Sequence, residues 1–157
     1  MASPTPRTVE PVLVNAAAPQ RSWEDIAAAK QAEQASRIPA EWRLGPEFLA
    51  ATAATVDLRP LAATSGVLSE RELEISGDGY DATGLLAKIA DGTYSAVEVV
   101  TAFCKRAAVA QQLTSCLTEI MFVEAIAAAE KLDEAFKRTG RTVGPLHGLP
   151  MTFKVSG

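Results

Sequence analysis

Two copies of one short pattern constrain the fold of this chain more than any other feature: Ser69-Glu70-Arg71-Glu72 and Ser95-Ala96-Val97-Glu98. Each is a capping box, in which the serine oxygen takes the N3 amide proton and the glutamate reaches back to the cap amide, so each marks a helix start. The first opens a short helix to Ile75, which Gly77-Asp78-Gly79 breaks. The second opens a longer helix to about Gln112, because Val97, Val100, Cys104, Ala107 and Ala108 recur at helical spacing. Between them Asp81 caps a helix with an apolar stripe of Leu85, Leu86 and Ile89, and Gly92 ends it. A further helix is predicted over 124–138, with Ala125, Ala128, Ala129, Leu132 and Phe136 on one face and Gly140 at its end. Asp133 with Lys137 and Glu134 with Arg138 are spaced as ion pairs worth about 0.2–0.5 kcal/mol each.

Ahead of this helical middle, residues 1–21 are rich in Ala, Pro and Thr and read as a poorly ordered leader. Residues 22–68 read as a helical arm and connector. Ser22 caps a helix with Asp25 near N3, Ile38-Pro39 interrupts it after Ser36, and Pro46 fits the first turn of a second short helix through Ala54. A connector from Val56 to Leu68 is punctuated by Pro60 and Gly66. Residues 69–157 hold the remaining elements. There, Leu117 to Phe122 has strand character, and Leu149 to Lys154, after Gly144-Pro145, reads as a second strand. Together with the helix between them these make a β-α-β unit, which predicts parallel strands and a right-handed crossover. The expected fold class is therefore α/β: short helices and a connector, a mainly helical segment, and a β-α-β unit. Two strands cannot cover the helix faces, so apolar surface is expected to stay open.

Composition excludes several function classes. A formal net charge of −4, with Lys and Arg interspersed among acids, offers no basic stripe for nucleic acid. No apolar run approaches the roughly 20 residues that cross a bilayer, so no membrane partner is expected. Glu10 and the prolines at Pro4, Pro6, Pro11 and Pro19 spoil a secretory pattern at the start, and a cytoplasmic location is expected. Cys104 and Cys116 lack metal-ligand spacing and read as buried or half-buried thiols. His147 is the single histidine and has no cluster of ligands beside it, so neither a metal nor a cofactor is implied. No G-x-S-x-G elbow supports a Ser-His-Asp triad, and Ser65-Gly66 and Ser156-Gly157 are the nearest Gly/Ser pairs. Gly77-Asp78-Gly79 lacks the lysine of a P-loop and the spaced carboxylates of an EF-hand, and reads as a turn. Trp23 and Trp42 read as packing anchors.

One segment points to chemistry: Gly144-Pro145-Leu146-His147-Gly148-Leu149-Pro150-Met151-Thr152-Phe153-Lys154. Its prolines fix φ and push their predecessors into extended geometry, while its glycines permit tight turns, so the run is a stiff lead that presents Lys154. It closely resembles the run that delivers the catalytic lysine in the amidase family, the amidase-signature serine hydrolases that use Ser, cis-Ser and Lys. The resemblance is to fungal acetamidases and general amidases, and it extends over Ser22-Trp23-Glu24-Asp25-Ile26-Ala27, over 38–44, over 58–68, and over 96–107. It covers the chain from about Ser22 to Lys154, and it implies that 22–68 is an N-terminal helical arm around a main domain that starts over 69–157, whose mixed sheet has its other strands outside this sequence. The tail departs from it: members usually follow the lysine with Asp, whereas Val155-Ser156-Gly157 stands here.

The resemblance implies that Lys154 is the general base and acid, with Gly144, Pro145, His147, Gly148 and Pro150 as supporting motif. A buried lysine amine would hydrogen-bond the cis-Ser and relay a proton from the nucleophile to the leaving amine, which needs a lysine that is neutral for part of the cycle. Neither serine is in the sequence as the family places them. The expectation is an N-terminal fragment of an enzyme that hydrolyses small carboxylic amides to carboxylate and ammonia, inactive by itself, with a homodimer open to the complete enzyme and the fragment's oligomeric state left open. The alternative is a non-catalytic helical interaction module or a truncated product without enzymatic function.

Overall fold

Four helices start on side chains placed to cap them. The computed structural model describes residues 21–154, and in it α1 (Trp23–Ser36) begins where Asp25 N–H donates to Ser22 Oγ at 3.1 Å. Both capping boxes form, opening α4 (Glu70–Ser76) and α6 (Ala96–Thr114), and Asp81 caps α5 (Ala82–Ala90) through Gly84 N–H. A 3-10 turn at Ala40–Trp42, α2 (Pro46–Thr52) with proline in its first turn, and α3 (Leu61–Thr64) lie between α1 and α4. The last helix, α7 (Phe122–Thr139), has no side-chain cap and ends at Gly140, whose φ of 66° is the left-handed geometry that glycine tolerates. α6 closes instead on Ser115 at φ 52°.

α6 is the centre of the molecule. One of its faces joins Trp42, Ile38, Ile120, Phe122 and Ala129 through Ala96, Val100, Cys104 and Ala108. A second face places Val99 and Ala102 against Ile75, Leu85, Ile89 and Tyr94, and Val109 meets Leu44 and Leu68. The predicted stripe is one of these faces. Because partners flank the helix on both sides, Val99, Ala102 and Val109 are buried as well. The arm is thus tied into the same core, with the Trp42 and Phe122 rings 5.7 Å apart.

Polar ties complete the joints. The side chain of Gln112 accepts from Leu44 N–H at 2.8 Å and donates to the Trp42 carbonyl at 2.9 Å. Lys105 of α6 pairs with Glu72 of α4 at 2.7 Å, both side chains mostly buried. Burial pushes the Glu72 carboxyl up, but Lys105 and the Ser69 hydrogen bonds outweigh it and hold the group below its ordinary range.

Several expectations are corrected. No strand forms among the described residues. The segment 117–121 runs irregularly into α7, because its backbone meets side chains rather than a neighbouring strand: Gln34 donates to the Leu117 and Thr118 carbonyls at 2.9 and 2.8 Å, and Arg37 to the Ile120 carbonyl at 2.9 Å. Residues 149–154 likewise make no ladder. The β-α-β unit of the expected α/β class is therefore absent, and the described fold is helical. Trp23 is 75% exposed and anchors nothing, Cys116 is exposed, and Ala128 faces outward. Cys104 is buried, which pushes its thiol up to about 11. The leader over 1–20 and the tail Val155-Ser156-Gly157 lie outside the described residues.

Candidate active-site segment

The approach to Lys154 has an anchored half and an open half. In the anchored half, His147 N–H donates to the Gly144 carbonyl and Leu149 N–H to the Leu146 carbonyl, both at 3.2 Å, so 144–149 fold into consecutive turns. His147 is buried against Phe136 of α7, ring centroids 6.0 Å apart, and its Nδ1 accepts from Val143 N–H at 3.1 Å. Gly148 sits at φ 75° against the first residue of α6, where a Cβ would lie 2.8 Å from the Ala96 Cβ and 3.1 Å from its Cα. No other residue type fits that contact without displacement. Leu149 packs on the cluster of Ile75, Leu85 and Val99.

Beyond Pro150 the chain leaves the core. Met151 and Phe153 are exposed, and so is Lys154. The burial that the resemblance implies for the lysine amine is therefore not supplied by the described residues. Gly144 and Pro145 begin the anchored turns and Pro150 ends them, so all of the supporting motif residues lie in or beside one structural unit, with Lys154 at its outer end.

Behind the turn, Tyr94, Ser95, Glu98, Asp133, Phe136 and His147 line a cavity of about 160 Å³. Sequence spacing paired Asp133 with Lys137, but its carboxylate instead faces the start of α6. Ala96 N–H donates to Oδ1 at 2.7 Å and Val97 N–H to Oδ2 at 3.0 Å. A carboxylate there satisfies two orphan donors and complements the positive helix end. No local pattern predicts this bond, because it joins two helices. Glu98 completes its capping box while Arg71 donates to it, and that guanidinium holds its carboxyl below the ordinary range. Tyr94 hydrogen-bonds Tyr80 and Glu74 in a buried setting, and these raise its phenol well above the usual value. No group of three metal-ligating side chains occurs among the described residues, and none of the helices there is long and apolar enough to cross a membrane.

Comparison with known proteins agrees with this architecture. Residues 98–156, the span from α6 through Lys154, match the family model described as Amidase. The chain belongs to the amidase family. It is 46% identical over 134 residues to an acetamidase of Emericella nidulans and 43% identical over 135 residues to an amidase of Gibberella moniliformis. Each alignment covers 85% of this chain but only 23% and 25% of those relatives. A solved structure of fatty acid amide hydrolase superposes with a TM-score of 0.69 at 32% identity, over 82% of this chain and 22% of that one. The chain thus spans about a quarter of the length of these relatives.

Proposed function

We propose that this sequence is the part of an amidase that delivers its general base, Lys154, for hydrolysis of small carboxylic amides to carboxylate and ammonia. The observation that carries the reading is the family match that runs through Lys154, on a lead segment whose His147, Gly148 and Leu149 are locked onto the helical core. The acetamide-like substrate class is taken from the relative named as an acetamidase. In this reading the cis-Ser and the nucleophilic Ser come from the rest of an amidase, which also buries the lysine. The uncharged amine of Lys154 accepts a proton passed from the nucleophile through the cis-Ser, while the serine oxygen attacks the amide carbonyl. Returned to the nitrogen as the C–N bond breaks, the proton leaves with ammonia, and water then releases the acyl group as carboxylate. The enzyme is read as cytoplasmic.

The test compares an amidase-length chain carrying this sequence, its Lys154→Ala variant, and residues 1–157 alone, on acetamide and aryl amides. Lys154→Ala is expected to remove at least about a hundredfold of kcat, the lower range for a lost acid–base group, with helicity unchanged. The 157 residues alone are expected to match the blank. Retention of more than a tenth of kcat in Lys154→Ala would remove Lys154 from the base role. Turnover by the short chain that disappears in its own Lys154→Ala variant would place a nucleophile within it and overturn the reading that the serines come from elsewhere.

A further inference from the structure

We propose that His147 is a positioning residue for Lys154, acting through one ring nitrogen: Nδ1, held as an acceptor, pins Val143 N–H and so sets the turn from which the lysine-bearing stretch leaves the core. Three features support it. His147 is 4% exposed, yet lies only one turn of chain before a stretch whose Met151 and Phe153 are 52% and 79% exposed. Its Nδ1 accepts from Val143 N–H at 3.1 Å, which places the proton of the neutral imidazole on Nε2. Immediately after it, Gly148 rests on Ala96 with no room for a side chain, so the turn is held from the α7 side by the imidazole and from the α6 side by backbone contact.

The other nitrogen does not share this role. Nε2 is buried without a hydrogen-bond partner among the described residues. The two nitrogens are therefore separable by substitution. Asparagine can present an amide oxygen near the Nδ1 position, whereas glutamine carries its amide out toward Nε2 and offers Val143 nothing.

The inference rests on reading Lys154 as the base, and the experiment separates the two. In the amidase-length chain, His147→Asn, His147→Gln and His147→Ala are assayed beside Lys154→Ala, with thermal melts of each. Displacement of a catalytic group by about 1 Å costs on the order of a hundredfold, so His147→Gln and His147→Ala are expected to lose at least tenfold in kcat with KM nearly unchanged, while His147→Asn keeps most of it. Equal losses in His147→Asn and His147→Ala, at equal melting temperature, overturn the Nδ1 role. So does wild-type kcat in all three. If Lys154→Ala stays active, the amidase reading fails whatever the histidine variants do. A second measurement needs no turnover: long-range proton–nitrogen correlation on the imidazole of the 157-residue chain is expected to find Nε2 protonated and Nδ1 bare. A proton on Nδ1, or a ring averaging between tautomers, counts against the proposal.

Discussion

α6 and α1 are both regular capped helices, yet they are held in place by opposite means. Eight residues of α6 are buried, and α4 and α7 pack on its two sides. None of the residues of α1 is buried. It is tied to the 117–124 segment by polar side chains: Lys30 to Glu119 at 2.7 Å, Gln34 to two carbonyls, and Arg37 to the Ile120 carbonyl and to Glu124. Helix formation is local and both sequences support it, but docking strength follows buried apolar area. The candidate segment grows from the first kind of support, because His147, Gly148 and Leu149 rest on α5, α6 and α7 rather than on the arm. A lysine that must hold its position belongs on that side of the molecule.

The largest expected contrast is a matched truncation. Ile75 is 1% exposed in the cluster beneath Leu149, so Ile75→Ala is expected to cost about 2–5 kcal/mol in chemical denaturation. Ile26 of α1 is 54% exposed, and Ile26→Ala is expected to stay within about 0.5 kcal/mol. Equal losses would mean that α1 buries a face against something beyond the described residues.

A smaller contrast is expected in acid. Glu72 and Glu98, which join α4 to α6, both have carboxyls below the ordinary value of 4.5. A depressed folded-state pKa stabilises the fold above the unfolded value, and that contribution disappears as pH falls through the folded value. Melting temperature is therefore expected to drop as pH is lowered from 4.5, and Glu72→Gln, which loses the Lys105 pair, is expected to flatten part of that drop. Glu33 of α1 is also depressed, chiefly by Lys30, but it is exposed and screened by solvent. Glu33→Gln is expected to leave the acid profile unchanged, and an equal flattening by both variants would erase the distinction between the helices.

The same distinction explains what could be read from the residues alone. The starts at Ser22, Ser69, Asp81 and Ser95 and the end at Gly140 are legible because a cap and its partner lie within one turn of chain. The strand expected at Leu117 to Phe122 fails because a strand is defined by its neighbour, and its neighbours here are side chains of α1 and its C-cap Arg37, 83 and 84 residues away. Asp133 misleads for the same reason, since its spacing from Lys137 is visible and its contact with Ala96, 37 residues distant, is not. The turns before Lys154 are legible from their Gly and Pro residues, whereas the role proposed for Lys154 comes only through the family resemblance. The burial of His147 is not, because a histidine between apolar and turn residues carries no local sign of the amide it will accept from.

The finest test of the comparison is local and uses salt. Amide exchange in α1 is expected to be faster than in α6 under native conditions, because opening α1 exposes little apolar surface whereas opening α6 exposes Val99, Ala102 and Val109. The ion pairs at α1 and its C-cap, Lys30 with Glu119 and Arg37 with Glu124, involve partly exposed side chains. Raising ionic strength from about 0.1 M to 1 M shortens the screening length from roughly 10 to 3 Å, and exposed pairs weaken accordingly. Protection in α1 is thus expected to fall with salt, and protection in α6 to hold or rise, since apolar burial is not weakened by screening. Gln34 sets the limit of the salt effect, because its hydrogen bonds to the Leu117 and Thr118 carbonyls carry no net charge. Gln34→Ala is expected to add to the loss in salt, and α1 amides that exchange as slowly as those of α6, with no response to salt or to Gln34→Ala, would show that polar ties alone do not hold that helix.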